Sequence, residues 1–469
     1  MRSIKKIFLF TLLSISGCTL IGRDYKRPEI NLPSSYHQEI NKDNVVADLN
    51  MWWKLYQDPA LNELMDKALV KNTDIAAAIA RVEESDAYLK EVGAALLPEV
   101  DLNSQALRNR VTTTGNKING STLSTGLRKD YLVRLGTSFE LDFWGKLRRA
   151  KESARAEYLA SRFSRDTVEL SLESLLASNY LLLRSIDSQI LALKANVKYR
   201  EENLTLTKKR LESGLVSALD LHQAEAAFNN LSAQLSDLMR QREIVFNQLT
   251  VLSGDMNLVI PEMTIDPLIT PPTPPSGLPS SLLESRPDVR EAEQMMIAAN
   301  ANIGIAKAAL FPTISLTANL GVESAALSNL NKSGSGIWGG GLGLSLPIFD
   351  SGRVRSKIDQ ATAKQKEALS YYESAIQNAF KEVNNALVSL KEYTEQENDL
   401  ILTQDAAKKA MDIASNRYKA GYSSYLEYID AQRVYNDASI AYIQKRQLRL
   451  MASVELFKSL GGGWQSQIQ

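Results

Sequence analysis

Apolar residues recur at every seventh position from Leu176 through Leu183, Ile190, Val197, Leu204 and Leu211, with Ile186 and Leu193 in the seam between them. This heptad predicts a coiled-coil helix. Read from Lys146 to Glu212, the helix has about 67 residues and rises about 100 Å. A returning helix carries Phe228, Leu231, Leu235, Leu238, Val245, Leu249 and Leu252 at spacings of mostly three and four, and Ile376, Phe380, Val383, Leu387 and Leu390 repeat the scheme later in the chain. Elsewhere the period drops to two. Val133, Leu135, Thr137, Phe139 and Leu141 alternate with polar residues and glycine, as do Ile314, Leu316, Ala318 and Leu320, while Leu342, Leu344, Leu346 and Ile348 alternate with Gly341, Gly343, Ser345 and Pro347. Strands with one apolar face follow near 131–143, 312–322 and 337–348, and Val100 and Leu102 open a weaker one near 98–108.

These elements occur twice. Arg210 to Asp220 aligns without gaps on Arg417 to Glu427, an offset of 421 − 214 = 207, and the same offset carries Gly145 to Arg148 onto Gly352 to Arg355. The chain therefore reads as a duplicated unit. It divides into a segment 1–17, an extended segment 18–50, a first repeat 51–259, a linker 260–281, a second repeat 282–460 and a tail 461–469. Seven prolines between Pro261 and Pro279 exclude helix from the linker, which reads as an extended strap outside the core. Gly214 and Gly421 can take the left-handed conformation that ends a helix. Ser217 with Asp220, and Ser424 with Glu427, read as capping boxes that start the next one. Segments 108–130 and 323–336, rich in Gly, Ser, Thr and Asn, read as solvent-facing loops.

Strands of about ten residues with aromatic ends (Tyr131, Phe143, Trp144, Phe311, Trp338 and Phe349) suit a membrane β-barrel. A soluble sandwich also alternates, so this alternative stays open at this point. Four strands are too few for a barrel, whose single-chain minimum is about eight, so the chain must oligomerise. Three copies would supply about twelve strands around a lumen.

At the N-terminus, Arg2, Lys5 and Lys6 precede an apolar run and small residues before Cys18, the pattern of a secretory signal. Ile15-Ser16-Gly17-Cys18 resembles a lipobox, which implies an N-acyl diacylglycerol cysteine as the mature N-terminus, and Thr19 by the same resemblance favours sorting to the outer membrane. Cys18 is the only cysteine and can form no internal disulfide. The 54 basic and 54 acidic residues give no electrostatic case for nucleic acid. With only His37 and His222, no metal-ligand spacing, nucleophile elbow or phosphate loop emerges, which points away from an enzyme and from a cofactor or metal centre.

Tyr25-Lys-Arg-Pro28, Trp52-Trp53-Lys-Leu-Tyr-Gln-Asp58-Pro59-Ala-Leu61, Phe139 to Arg148, Ser285-Arg286-Pro287-Asp288-Val289 and Tyr425 to Arg433 together resemble the TolC/OprM-like outer-membrane efflux factors, in their lipoprotein branch. The resemblance implies a mainly α fold with a membrane β-barrel, two strands and long coiled-coil helices per repeat. Three chains would form a twelve-stranded β-barrel on a periplasmic α-barrel of a Gram-negative outer membrane. It also implies a passive duct for drugs or other small toxic compounds, served by a periplasmic adaptor and an inner-membrane transporter of RND type. On the same resemblance Leu426 and Asp430 form the constriction, and Arg417 and Tyr418 tie helices near the closed tip. Gly214, Leu215, Gly421 and Tyr422 would then meet the adaptor. Gln223 replaces an aspartate at the repeat-equivalent of Asp430, so the first repeat adds no carboxylate there. Type I protein secretion and metal-ion export fit the same fold, and a non-conducting coiled-coil lipoprotein is the reading from another class.

Overall fold

A computed structural model describes residues 20–30, 33, 36, 49–110, 117–118, 121–122, 127–271 and 286–462. The signal segment, Cys18, His37, residues 272–285 and the tail beyond 462 lie outside the described residues. A 3₁₀ helix at Leu49–Tyr56 is followed by α1 (Pro59–Lys71), α2 (Thr73–Ala94), β1 (Glu99–Arg110), the short pair β2 (Lys117–Ile118) and β3 (Ser121–Thr122), β4 (Leu127–Glu140), α3 (Lys146–Glu212) and α4 (Ala218–Ser253). Then come α5 (Pro287–Ala308), β5 (Thr313–Ser324), β6 (Gly336–Ser345), α6 (Arg353–Lys419) and α7 (Tyr425–Ser459). Both α3 and α6 have 67 residues. Among the described residues no helix is long and apolar enough to cross a membrane.

The chain forms two compact units. One comprises the described residues within 20–29, 82–161 and 292–372 and contains an antiparallel sheet in the order β1-β4-β5-β6. Its register aligns the apolar face across all four strands: Leu102 lies opposite Leu135, Leu135 opposite Leu320, and Leu320 opposite Trp338. All four side chains are exposed. The other face sets Asn103 against Arg134 and Gly136 against Asn319. The strands run longer at the loop end than the residue types suggest. Residues 108–110 and 127–130 pair in the ladder, Arg108 with Lys129 and Arg110 with Leu127, so these stretches are strand and not loop. Ladder bonds come from the backbone, which is indifferent to a polar side chain at a solvated end. At the other end β4 stops at Glu140 and β6 at Ser345, short of Phe143 and Ile348. Pro347, with no N–H to donate, suits the end of the ladder in β6. Trp144 there stacks on Phe311 at 4.8 Å and donates its indole N–H to the Pro312 carbonyl at 2.8 Å.

The second unit holds the described residues within 30–81, 162–291 and 373–462 and carries the main apolar core. Trp52 is fully buried, stacked on Phe457 at 5.5 Å and edge-on to Trp53 and Tyr56. Asp58 caps α1, accepting the Ala60 N–H at 2.8 Å, and also accepts a hydrogen bond from the Tyr180 hydroxyl. Arg184 donates to that hydroxyl at 2.7 Å and to the Pro261 carbonyl at 2.5 Å. The described part of the strap, 260–271, does not lie outside the core as its proline content suggests: Ile260, Ile265 and Leu268 are buried in it. Prolines forbid helix, but an extended segment can still bury alternate side chains when the backbone finds partners. Arg446 supplies two, donating to the Asp266 and Leu268 carbonyls at 2.9 Å, and Arg446 and Arg449 both pair with the buried Glu397.

Candidate functional site

The helical hairpin turns of the two repeats are built alike. Gly214 has φ +71° and Gly421 φ +82°. At the first, Leu215 donates to the Arg210 carbonyl at 2.8 Å and Gly214 to Leu211 at 2.9 Å; at the second, Tyr422 donates to Arg417 at 2.8 Å and Gly421 to Tyr418 at 3.1 Å. This is the Schellman arrangement, placed twice at the repeat offset. A Cβ on either glycine would meet nothing within 4 Å, so the requirement for glycine is conformational. Gly214→Ala and Gly421→Ala should each cost about 1–2 kcal/mol of local stability. Hydrogen exchange by mass spectrometry checks this: the tip peptides carrying Leu215 and Tyr422 should exchange faster in the variants, and unchanged rates would count against it.

The helices that leave the turns start differently. At α4 the Ser217 hydroxyl accepts from the Asp220 N–H and the Asp220 carboxylate accepts from the Ser217 N–H, a complete capping box. At α7 only half of the expected box forms. Ser424 accepts from the Glu427 N–H at 3.3 Å, whereas the Glu427 carboxylate lies 3.6 Å from Arg417 Nε. A guanidinium within reach competes with a backbone N–H for the carboxylate. Arg417 thus faces a carboxylate on the opposite side of its own turn, through one long and half-exposed ion pair that is beyond hydrogen-bond distance and not bidentate.

Tyr418, Tyr425 and Tyr428 form a buried aromatic knot. Tyr418 and Tyr428 stack at 5.4 Å with an interplanar angle of 3°, and Arg210 sits over the Tyr418 ring at 5.3 Å. Tyr428 accepts a hydrogen bond from Asn203 of α3 at 3.1 Å and lies beside Tyr199, which couples the start of α7 to α3. Burial raises the hydroxyl pKa of both Tyr425 and Tyr428. Leu215 and Tyr422 project from the turns, and Leu426 is exposed one turn from Asp430.

Asp430 is not a free carboxylate. It accepts from Arg433 Nη2 at 2.8 Å, and Arg433 Nη1 reaches Asp437 at 3.3 Å, all three side chains more than half exposed. The pairing holds the Arg433 pKa above its ordinary value through the Asp430 hydrogen bond and charge. The neutralising partner has a sequence signal: the i, i+3 and i, i+4 spacings put Asp430, Arg433 and Asp437 on one helix face. The contact of Tyr428 with Asn203 has no such local signal. It depends on which helices meet.

The chain matches the family described as outer membrane efflux protein over residues 64–255 and 278–462. It is 34% identical over 470 residues, 97% of this chain and 95% of the relative, to the toluene efflux pump outer membrane protein TtgC of Pseudomonas putida. It is also 34% identical over 465 residues, 97% of each chain, to the pyoverdine export outer membrane protein OpmQ of Pseudomonas aeruginosa. Among solved structures it is similar to the CmeC outer membrane channel of Campylobacter jejuni, with a TM-score of 0.89, 25% identity and 96% of each chain covered. The open state of the MtrE outer membrane channel of Neisseria gonorrhoeae gives 0.85, at 31% identity over 96% of this chain and 100% of that one.

Proposed function

The chain belongs to the outer membrane efflux protein family, and from that premise we propose how it works as the outer-membrane channel of an efflux pump: three copies close a barrel and open at their helical tips. The observation that carries the trimer is the sheet. It is a four-stranded up-and-down ribbon whose apolar face is exposed and whose outer edges, on β1 and β6, pair with no strand among the described residues. Open edges and an uncovered apolar face are tolerable only if lipid covers the face and another strand covers each edge. With four alternating strands β1 and β6 run in opposite directions, so β6 of one copy meets β1 of the next as an antiparallel pair. Closure by three copies gives about twelve strands, an even number wide enough for a lumen. The outer membrane is accordingly the site of action, with Cys18 as the lipid anchor. A periplasmic adaptor would dock at Gly214, Leu215, Gly421 and Tyr422, and an inner-membrane transporter of RND type would supply the energy.

Relatives named for toluene and for pyoverdine have the same identity to this chain, so overall sequence does not set the cargo. Drugs or other small toxic compounds suit a passive duct whose selectivity lies upstream.

At the constriction, each Asp430 of the trimer would carry its own Arg433, with Asp437 leaving one net negative charge per copy. Conductance of the purified lipoprotein in planar bilayers tests the duct and this gate together. Wild type should form a mostly closed, cation-preferring pore. Arg433→Ala, by freeing the Asp430 carboxylate, should strengthen cation preference and block by divalent cations, and Asp430→Ala should weaken both. Absence of any pore from folded protein would overturn the duct, whereas a pore indifferent to both substitutions would remove the gate from Asp430.

A further inference from the structure

Four arginines are more than nine-tenths buried among the described residues: Arg149, Arg184, Arg200 and Arg286. Three have carboxylate partners. Arg149 pairs with Asp24 and Glu152 at 2.8 and 2.6 Å, Arg184 with Asp187 at 3.6 Å, and Arg286 with Asp288 and Glu382 at 2.7 and 2.8 Å. Arg200, on α3 and only 7% exposed, has none among the described residues. The groups that act on it are tyrosines (Tyr425, Tyr428 and Tyr199), and its Nη1 makes no hydrogen bond. Burial without a counter-charge pushes its pKa below the ordinary value. A buried guanidinium left in this condition lacks an anion.

Arg200 lines a pocket of about 440 Å³ between α3, α4 and α7. Beside it Gln432 is 3% exposed, and its Oε1 is also without a hydrogen bond, an acceptor awaiting a donor. The walls add apolar surface from Leu231, Leu426 and Ile429. At the exposed side, Asp430 and Asp437 share Arg433, which leaves one net negative charge and disfavours a second negative group on any occupant. The volume falls within the range of pockets that take small organic molecules.

We propose that this pocket binds a small amphipathic monocarboxylate, its carboxylate on Arg200, a hydroxyl or amide N–H on Gln432 where the molecule has one, and its apolar body against Leu231 and Leu426. The site shares Leu426 and Asp430 with the proposed constriction, so an occupant would sit beside the gate. The inference rests on the duct reading only for that location. Its test reads binding to the purified protein in detergent, so it can fail while the pore survives, and the reverse.

The probes are 3-phenylpropionate and its neutral isostere 3-phenylpropanamide, followed by saturation-transfer NMR and calorimetry with the full-length protein. The carboxylate should bind at least about tenfold more tightly than the amide, because only it supplies the missing charge. Arg200→Gln should erase that preference. It should also leave the protein folded, since it removes an uncompensated buried charge. As a second variant, Gln432→Leu should weaken the amide, whose NH₂ can donate to Oε1, while sparing the preference for the carboxylate in direction. Equal binding of acid and amide, binding unchanged in Arg200→Gln, or no binding by wild type would each overturn the site. The last result, combined with loss of the oligomer in Arg200→Gln, would assign the guanidinium to a carboxylate of a second copy.

Discussion

Replacing Arg286 by alanine should destabilise the protein by about 2–3 kcal/mol, the cost of taking a buried guanidinium away from one buried carbonyl and from two carboxylates that solvent partly reaches. The guanidinium donates through Nε and Nη2 to Asp288 at 3.0 and 2.7 Å, and through Nη1 to the Ser459 carbonyl at 3.1 Å, with Glu382 at 2.8 Å from the same nitrogen. Three places far apart in sequence, the start of α5, the middle of α6 and the end of α7, are thereby joined by one side chain. Truncation leaves the carbonyl of the fully buried Ser459 without this donor and two carboxylates without their cation. Arg286→Lys should recover part of the loss, since an ammonium keeps the charge but cannot match the planar fork to all its acceptors. Urea unfolding of the purified protein in detergent measures both. A midpoint for Arg286→Ala within error of wild type would refute the assignment.

Glu173 should contribute a loss of stability as the pH rises from about 4.5 to about 8. Glu173 lies against the aromatic core, where the Trp52 indole N–H donates to it at 3.3 Å. Burial, followed by the charge of Glu169 one turn away on α3, pushes its carboxyl up to about 8, against the opposing Trp52 hydrogen bond. Because the folded state then holds this proton more tightly than the unfolded chain, folding gains its full benefit below the unfolded pKa. That benefit is lost as pH rises through the folded value. A shift of this size corresponds to a loss on the order of a few kcal/mol. Glu173→Gln keeps the shape and the acceptor for Trp52 but cannot ionise. It should match wild type near pH 4.5 and exceed it above pH 8. Unfolding midpoints of the two proteins across this range check the divergence, and a variant that is weaker at every pH would show that Glu173 is held as a carboxylate.

Both residues stand in or against stretches that the sequence already marked, the Ser285 to Val289 motif and the Trp52-Trp53 segment, yet neither role could be read there. What was legible is local. The heptad from Leu176 to Leu211 marks the C-terminal half of α3 (Lys146–Glu212), and alternation gives the apolar faces of β4, β5 and β6. Positive φ at Gly214 and Gly421, and the Ser217 cap, likewise follow from short stretches of chain. These properties depend on backbone sterics and on side chains within one turn or one pleat, so a window of a few residues contains their cause. The extension of β1 and β4 through Arg108 and Lys129 was not legible, because pairing is decided by the opposite strand.

The candidate site divides in the same way. Asp430 and Leu426 share a helix face by their spacing alone, and Arg433 could have been added by the same rule. That Glu427 leaves its cap for Arg417, that Ile265 of a proline-rich strap is buried, and that Arg200 lacks a counter-charge beside Gln432 were decided only by the tertiary structure. The physical reason is that the worth of a charge or an apolar side chain depends on its solvent and its partners. Sequence separated by tens to hundreds of residues supplies both, and chain folding determines which segments meet.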